Sequence, residues 1–580
     1  MSHALPVSWS GFTYTYPGED TPALDGITLE VAAGEKILVM GSSGCGKSTL
    51  GLTLNGIVPE SIGGASAGSV TVGPYEPAAE PLATMAASVG LVFQDPDSQL
   101  CTINVRDEIT FGPQNLLVPA EEIRARTERV ARLAGIAGRL DDNVFDLSGG
   151  QKQRLAIASA LALEPRVLAL DEPTANLDPS GRQEVLNVLR EIVAGRDATT
   201  LIVEHHPAEL LTVTDRVVVM EDGRVVHVGP PRELFATAGH DLRRRGVRLP
   251  AAVGYRLGLD AAGTVPLRDT VELTPAELDH DALLGPAVQE TPPPTPKPAP
   301  APRPVLEVED VTFGYGDIAP VLRGLNLTVG EGEIVALLGA NGSGKSTTGS
   351  LLVGLHKPDA GAIRVTGRDT VKVPVAELAK HVGYVFQYPE HQFVTDQVLE
   401  EVAFSLRRLG RGKGGAAAVR RLAEEQLERF DLAHLAGKHP FKLSLGQKRR
   451  LSIAAMSVYR PDVLVLDEPT FGQDQLHTDQ LAGIVRELRD DGVAVLMITH
   501  DLRLAAELAD RAVVLAGGTV AFDDAPATLL ENLHAEPRWG LWPLEEYALW
   551  REVARRQPAV GFTADSYELG RRVAAARKAV

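Results

Sequence analysis

The sequence predicts an α/β protein built from two copies of one domain, and three observations support this prediction. Five sequence motifs occur twice, in the same order and about 295 residues apart. In each copy a short apolar run, typical of a buried parallel strand, precedes a glycine-rich loop; these runs are Ile37–Met40 and Ile334–Leu338. The 580 residues include 44% apolar and 23% charged side chains, which is usual for globular protein and enough for two large cores.

The repeated motifs follow one another in the same order in both halves of the chain. In the first and second copy they are GSSGCGKST (Gly41–Thr49) and GANGSGKST (Gly339–Thr347), VGLVFQDPDSQL (Val89–Leu100) and VGYVFQYPEHQF (Val382–Phe393), LSGGQKQRLAIA (Leu147–Ala158) and LSLGQKRRLSIA (Leu443–Ala454), VLALDEPT (Val167–Thr174) and VLVLDEPT (Val463–Thr470), and IVEHH (Ile202–His206) and MITHD (Met497–Asp501). Because only two copies exist and each is as large as a domain, the pattern indicates duplication of a whole domain rather than a solenoid.

The motifs and the composition between them predict five segments. They are a first domain over residues 1–240, an extension over 241–290, a proline-rich linker over 291–304, a second domain over 305–530 and a C-terminal extension over 531–580. The linker, TPPPTPKPAPAPRP, is either a disordered connector or a stiff spacer that lets the two domains meet. The C-terminal extension contains Trp539, Trp542 and Trp550, which predict an amphipathic subdomain that packs on a core, or alternatively a surface for a partner.

Charge and cysteine content exclude several classes of protein. The formal net charge of −19 opposes broad, nonspecific binding to nucleic acid, and we expect no nucleic-acid partner. The two cysteines, Cys45 and Cys101, form neither a disulfide framework nor a zinc cluster. No run of 18 apolar residues occurs, and the first residues, MSHALPVSWSGFTY, contain no basic segment followed by an apolar run, so we expect neither a transmembrane segment nor a signal peptide. Any membrane role would then depend on a partner.

The glycine-rich loops match GxxxxGK[ST], the phosphate-binding P-loop pattern. Their glycines let backbone N–H groups turn inward around phosphate oxygens, and the N-terminus of the following helix favours anions. We expect Lys47 and Lys345 to reach the β- and γ-phosphates and Ser48 and Ser346 to bind Mg²⁺. The predicted phosphate-binding residues are Gly41, Gly44, Gly46, Lys47, Ser48, Thr49, Gly339, Gly342, Gly344, Lys345, Ser346 and Thr347.

Two adjacent acidic residues follow four apolar residues in each copy, which is the Walker-B pattern. These are Asp171–Glu172 and Asp467–Glu468. A strand in this position would hold the aspartate near Mg²⁺, through a water molecule. The neighbouring glutamate would polarise the attacking water as a general base.

The LSGGQ sequence at Leu147–Gln151 matches the signature motif of the ATP-binding cassette (ABC) ATPases, and the chain resembles that family over about 220 residues of each half. The resemblance implies tandem P-loop NTPase cassettes. Each would have a RecA-like α/β core, a β subdomain and an α-helical subdomain that carries the signature. It also implies ATP hydrolysis, with ATP and Mg²⁺ as cofactors.

The resemblance implies roles for further aromatic and histidine residues. Tyr16 and Tyr315, each about 30 residues before its P-loop lysine, would stack on adenine. His205 and His500 would be the switch histidines that contact the γ-phosphate. Because the first copy reads EHH, His206 is a rival of His205, and the alignment with His500 favours His205.

It also implies polar residues around the phosphates. Gln94 and Gln387 would be Q-loop residues that sense Mg²⁺, water and a membrane partner, and Asp178 and Asp474 would be D-loop acids. The signature residues implied to bind nucleotide are Ser148, Gly149, Gly150, Gln151, Ser444, Gly446 and Gln447. The predicted Mg²⁺ ligands are Ser48, Gln94, Asp171, Ser346, Gln387 and Asp467.

Family architecture implies a head-to-tail pair, with the P-loop of one cassette facing the signature of the other. The first ATP site would combine Lys47, Glu172 and His205 with the signature at Ser444. The second ATP site would combine Lys345, Glu468 and His500 with the signature at Ser148. The second signature reads LSLGQ, with Leu445 where the first has Gly149, so we expect a weakened but active first ATP site.

The FQ-x-P-x-x-Q sequences at Phe93–Gln99 and Phe386–Gln392, with TFGQDQ at Thr470–Gln475, resemble the ATPases of energy-coupling-factor (ECF) importers, which take up vitamins, vitamin precursors and transition-metal ions. The resemblance implies two partners: a transmembrane coupling protein (T) and a separate substrate-binding membrane protein (S). The chain would then lie on the cytoplasmic face of the cell membrane. The alternatives are the fused ATPase of a sugar-type ABC importer and, in another class, a soluble ribosome-associated ABC protein.

Overall fold

The computed structural model describes residues 4–175, 177, 179–195, 198–204, 208–284, 302–316, 319–409, 415–470, 475–533, 536 and 539–579. The chain divides into two compact units. The first consists of Met1–Ala287, Asp474–Leu476 and Asp565–Val580, and the second of Val288–Gln473 and His477–Ala564. In the part of the chain that the structure describes, no helix has the length and apolar character needed to cross a membrane. The domain boundaries drawn from the motifs stay a prediction.

The first unit contains nine strands and ten α-helices among its described residues. The strands are β1 (Val7–Thr15), β2 (Leu24–Val31), β3 (Lys36–Gly41), β4 (Ala65–Val72), β5 (Val89–Val92), β6 (Val167–Asp171), β7 (Thr199–Val203), β8 (Arg216–Glu221) and β9 (Arg224–Gly229). The helices are α1 (Lys47–Leu52), α2 (Leu82–Ser88), α3 (Val105–Asn115), α4 (Ala120–Leu133), α5 (Gly149–Ala162), α6 (Pro179–Gly195), α7 (Pro231–Arg244), α8 (Ala251–Ala261), α9 (His280–Leu284) and the last helix of the chain, Ser566–Ala579.

The main sheet of the first unit has the strand order β5-β6-β7-β3-β8-β9, and only the β8–β9 pair is antiparallel. Strand β3 is buried on both faces. Ile37 and Val39 pack toward the antiparallel sheet β2-β1-β4, whereas Leu38 and Met40 pack toward the helices. This burial explains why the run before the glycine loop is apolar throughout rather than alternating.

The second unit repeats this plan. Its strands are β10 (Pro304–Phe313), β11 (Leu322–Gly330), β12 (Ile334–Leu338), β13 (Ala360–Val365), β14 (Arg368–Asp369), β15 (Val382–Val385), β16 (Val463–Asp467), β17 (Ala494–Ile498), β18 (Arg511–Ala516) and β19 (Thr519–Asp524). Its helices are α10 (Lys345–Leu352), α11 (Val375–Leu378), α12 (Val398–Leu409), α13 (Gly415–Arg429), α14 (Leu445–Ser457), α15 (Gln475–Asp490), α16 (Leu502–Leu508), α17 (Pro526–Asn532) and α18 (Glu545–Arg556); the chain ends with α19 (Ser566–Ala579) in the first unit.

The two main sheets have the same topology, since β15-β16-β17-β12-β18-β19 corresponds strand for strand to the order in the first unit. Each unit also has a small antiparallel sheet, which is β11-β10-β13-β14 in the second. A group of helices stands beside each main sheet: α3, α4 and α5 in one unit, and α12, α13 and α14 in the other. The predicted α/β fold class, with two cassettes, is confirmed.

The two predicted extensions pack on the cores of the units. In the first unit α19 lies along α8, and Asp565, just before α19, forms an ion pair of 3.0 Å with Arg243 of α7. The same Arg243 guanidinium lies 4.0 Å from the centroid of the Tyr567 ring. In the second unit Trp539 is buried in the main core, whereas Trp542 is 53% exposed.

Candidate functional site

Each P-loop connects the central strand of a main sheet to a helix, β3 to α1 and β12 to α10. The turn into each helix is made by Gly46 and Gly344, whose φ angles are 100° and 104°. A Cβ atom at Gly46 would lie 2.4 Å from the carbonyl oxygen of Ala23, so a larger residue does not fit there. The structure therefore requires glycine for both conformation and space at the point where the helix N-terminus opens.

The P-loop lysines are buried and point into the loops that precede them. The Lys47 Nζ donates hydrogen bonds to the carbonyl oxygens of Gly41 (2.9 Å) and Ser42 (2.8 Å). The Lys345 Nζ does the same with Gly339 (2.7 Å) and Ala340 (3.0 Å). Two ammonium groups held this way, each at a helix N-terminus, provide the positive charge that phosphate oxygens need.

The aromatic residues predicted to stack on adenine lie beside the P-loop helices. The Tyr16 hydroxyl is 3.0 Å from Thr49 Oγ1, and the Tyr315 hydroxyl is 3.3 Å from Thr347 Oγ1. Both rings pack edge-on against an aromatic neighbour, and Tyr315 is 45% exposed. The structure thus brings these predicted aromatic residues and the P-loops together in each cassette.

The Walker-B residues stand at the ends of β6 and β16, two strands away from the P-loop strands. Glu172 and Glu468 have left-handed backbone conformations, with φ angles of 44° and 46°. Their N–H groups donate to the carbonyl oxygens of Val203 (3.0 Å) and Ile498 (2.8 Å) on the neighbouring strands. These bonds hold both glutamates in a conformation that is strained for any residue except glycine.

In the first cassette the Walker-B glutamate contacts the Q-loop. The Gln94 Nε2 donates a hydrogen bond of 2.9 Å to Glu172 Oε2. Glu204, which replaces the Thr499 of the second cassette, is buried and accepts hydrogen bonds from the N–H (3.1 Å) and the hydroxyl of Thr174. The unusual EHH sequence therefore places a carboxylate under the Walker-B turn.

In the second cassette the Walker-B glutamate contacts the switch histidine instead. Glu468 Oε1 lies 3.0 Å from His500 Nδ1, and the Thr499 hydroxyl donates to Glu468 Oε2 at 3.3 Å. Burial by itself lowers the pKa of His500, but the hydrogen bond and the negative charge of Glu468 outweigh burial, so that the pKa is raised. Here Asp501 accepts a hydrogen bond of 3.4 Å from the Thr470 hydroxyl, which is the counterpart of the Glu204–Thr174 contact.

The two signature motifs begin their helices in the same way. Ser148 and Ser444 are N-cap residues of α5 and α14, and each forms a reciprocal capping box with the glutamine three residues later. A Cβ atom at Gly149 would make only an ordinary contact of 3.6 Å, with Leu177. Leucine in the equivalent position, Leu445, is therefore compatible with the start of its own helix.

Three predicted residues, His205, Asp178 and Asp474, lie outside the described residues. The other predicted site residues lie at or next to the P-loops, the Walker-B strand ends, the Q-loops and the signature helices. Among the described residues, no cluster of three or more His, Cys, Asp or Glu side chains forms a metal site. A serine hydroxyl and one aspartate per cassette fit Mg²⁺, which usually takes few protein ligands and completes its shell with phosphates and water.

Two residues of the second cassette were missed by the sequence reasoning, Arg449 and Tyr384. Arg449, on α14, is 1% exposed and donates to the carbonyl oxygens of Phe386 (2.5 Å) and Gln387 in the Q-loop. Burial lowers the pKa of the Arg449 guanidinium to about 10. Gln153, its counterpart in the first cassette, makes a bond of 3.3 Å to the carbonyl oxygen of Phe93. A comparison of the two copies for unlike residues inside like motifs would have found both positions.

The sequence is similar to those of known ATP-binding proteins. The sequence profile described as ABC transporter matches residues 24–175 and 322–471. The chain is 39% identical over 541 residues to a Methanosarcina acetivorans protein provisionally named an ABC transporter ATP-binding protein, covering 92% of this chain and 88% of that one. It is 36% identical over 554 residues to a Bacillus subtilis protein provisionally named HMP/thiamine import ATP-binding protein YkoD, covering 94% of this chain and 97% of that one. A solved structure of cbiO1 from Clostridium perfringens, described as part of the ABC transporter complex cbiONQ, matches with 29% identity and a TM-score of 0.37, covering 41% of this chain and 98% of that one.

The fold and the P-loops define a nucleotide-binding protein of the ABC cassette class. The chain belongs to the ABC transporter family, as an ATP-binding protein with two fused cassettes. Membership in this family implies ATP hydrolysis. Members of the family bind ATP, generally with Mg²⁺, and typically pair with membrane subunits.

We predict that Arg449→Ala loosens the Q-loop of the second cassette. Removing the guanidinium leaves the Phe386 and Gln387 carbonyl groups without their charged donor, which should lower the free energy of local opening by about 2 kcal/mol. Hydrogen exchange of the peptide over residues 382–394 measures this opening. The matched control, Gln153→Ala in the first cassette, removes one neutral hydrogen bond and should cost about 1 kcal/mol at residues 89–101. Equal losses in the two cassettes would contradict the role given to Arg449.

Proposed function

We propose that the chain is the ATP-hydrolysing motor of an ECF-type importer, driving uptake of a vitamin, a vitamin precursor or a transition-metal ion through separate membrane subunits. The observation that carries the proposal is the FQ-x-P-x-x-Q sequence, present at the Q-loop of both cassettes. The likeness to the Bacillus subtilis protein with an import name, which extends over 94% of this chain, supports it.

In this proposal each cassette binds one ATP at its P-loop. Lys47 and Lys345 bind the β- and γ-phosphates, and bound Mg²⁺ offsets the charge that develops on these phosphates. Glu172 and Glu468 accept the proton of the attacking water. Their hydrogen bonds to Gln94 in one cassette and His500 in the other keep each carboxylate oriented.

The glutamine that ends each FQ-x-P-x-x-Q sequence connects the Q-loop to a neighbouring element. Gln99 accepts a hydrogen bond from the N–H of Phe93 (3.0 Å) and donates to the carbonyl oxygen of Leu91 (3.1 Å). Gln392 instead exchanges hydrogen bonds with Ser452 on the signature helix α14, at 3.1 and 2.5 Å. A membrane partner that presses on the Q-loop would thus act on the edge strand β5 in the first cassette. In the second cassette it would act on the signature helix α14.

An apolar surface lies next to the Q-loop in each cassette and supports a membrane partner. In the first cassette Ile103 and Phe145 are 63% and 74% exposed, and a backbone hydrogen bond of 2.8 Å from the Val144 N–H to the Ile103 carbonyl oxygen joins the two segments that carry them. In the second cassette Val394 and Phe441 are 63% and 51% exposed. Phe145 and Phe441 occupy equivalent positions just before the two signature motifs. Exposed large apolar side chains mark an interaction surface, and we assign this one to coupling helices of the T protein.

The proposal predicts which proteins accompany the chain. A tagged chain, purified from detergent-solubilised native membranes, should bring with it a polytopic coupling protein and a small substrate-binding membrane protein, identified by mass spectrometry. The matched control is a double variant with Phe145 and Phe441 replaced by Ser, which removes apolar contact area but leaves the P-loops intact. This variant should no longer bring either membrane protein with it.

Recovery of the chain with ribosomal proteins would contradict the transport assignment and favour the ribosome-associated class. Recovery with a pair of membrane subunits and an external sugar-binding protein would favour the sugar-type importer.

We further predict that the two Walker-B glutamates contribute unequally to ATP turnover. By the head-to-tail arrangement of the family, Leu445 would face the first ATP site and weaken it. Glu468→Gln should then lower turnover by at least about tenfold, whereas Glu172→Gln should lower it by less than about threefold. Steady-state phosphate release measures the ATP turnover rate of both variants, and the double variant gives the background rate. Equal losses from the two single variants would contradict the asymmetry.

A further inference from the structure

A buried tyrosine hydroxyl reaches the Walker-B aspartate of the second cassette. Tyr384 lies on β15, the strand next to β16, and its hydroxyl donates a hydrogen bond of 2.7 Å to Asp467 Oδ2. The side chain is 8% exposed. A tyrosine hydroxyl ordinarily keeps its proton up to about pH 10, so at neutral pH it donates to the carboxylate it contacts.

The two oxygens of Asp467 consequently face two different partners. Oδ2 accepts from Tyr384, while Oδ1 is 3.5 Å from the hydroxyl oxygen of Ser346, the P-loop serine. A carboxylate on a strand end can rotate about its terminal torsion, whose energy profile is broad. A fixed donor on one oxygen removes this freedom and directs the other oxygen toward Ser346.

The P-loop helix of the second cassette leaves room for this tyrosine. A Cβ atom at Gly349 on α10 would lie 2.8 Å from Tyr384 Cε2 and 3.0 Å from its hydroxyl oxygen. At the equivalent Gly51 of the first cassette a Cβ atom would meet nothing within 4 Å. There the position of Tyr384 is occupied by Leu91, which has no hydroxyl group.

We propose that Tyr384 is a positioning residue for Mg²⁺ at the second ATP site, where it holds the Asp467 carboxylate in the orientation that receives the ion, and that the first ATP site lacks this device. The inference rests on the proposed role of Asp467. Tyr384 and Asp467 lie in the same cassette, so this difference between the two ATP sites does not depend on Leu445.

The test measures metal binding directly, in the full chain. A Lys47→Met background weakens nucleotide binding at the first ATP site, and the non-hydrolysable analogue AMP-PNP fills the second. Electron paramagnetic resonance of free Mn²⁺, used in place of Mg²⁺, then gives the affinity for the metal. Tyr384→Phe, which removes only the hydroxyl, should weaken Mn²⁺ binding by about three- to tenfold, while metal-free AMP-PNP affinity stays within about twofold.

The matched control is Tyr459→Phe in the same cassette. The Tyr459 hydroxyl is buried and has no hydrogen-bond partner among the described residues, so its removal should leave Mn²⁺ affinity unchanged. Unchanged Mn²⁺ affinity in Tyr384→Phe would overturn the inference. An equal loss of metal-free AMP-PNP affinity would also overturn it, because it would indicate a merely structural role. Failure of the Lys47→Met parent to bind AMP-PNP at all would instead refute the proposed function.

A second variant tests the same contact without changing the tyrosine. Gly349→Ala should displace Tyr384 and weaken Mn²⁺ binding, whereas Gly51→Ala, its counterpart, should have no effect. The same Cβ atom would also lie 2.9 Å from Ile498 Cδ1. In a Tyr384→Leu background the effect of Gly349→Ala should therefore become smaller without vanishing, since only the part that acts through the tyrosine is lost. Additive effects of the two changes would contradict the proposed path.

Discussion

The site depends on the order of the parallel strands in each main sheet. The strand that follows the Walker-B strand in sequence lies, in space, between the Walker-B strand and the P-loop strand. In the first cassette β7 separates β6 from β3, and in the second β17 separates β16 from β12. All three strands are parallel, so their carboxyl ends meet at one edge. The P-loop, the Walker-B acids and the residue after β7 or β17 therefore converge, although about 120 residues separate the first two in each cassette.

Around this common edge the two cassettes place different chemistry. In the first, Glu172 pairs with the neutral amide of Gln94. In the second, Glu468 pairs with His500, whose pKa is raised, and the buried guanidinium of Arg449 holds the Q-loop backbone. The duplication has thus preserved the backbone that cradles phosphate while the side chains behind it have diverged. The side-chain contacts of the Walker-B glutamate and of the Q-loop therefore differ between the two cassettes.

The sequence predicted best what depends on local geometry. A P-loop or a signature motif specifies its own turn and helix start through glycines and an N-cap, so motif spacing suffices to find Gly46 or Ser148. Contacts between distant segments were not predictable in this way. Whether Tyr384 reaches Asp467 depends on β15 pairing with β16 and on the space at Gly349, which no local pattern records. The same holds for α19, which joins the first unit although the chain before it belongs to the second.

Two P-loops on one chain should bind two ATP molecules, which can be counted directly. The double variant Glu172→Gln/Glu468→Gln should retain ATP because both proposed general bases are gone while both P-loops remain. After equilibration with radiolabelled ATP and Mg²⁺ and rapid removal of free nucleotide, two ATP molecules should remain bound per chain. One ATP per chain, or none, would contradict it.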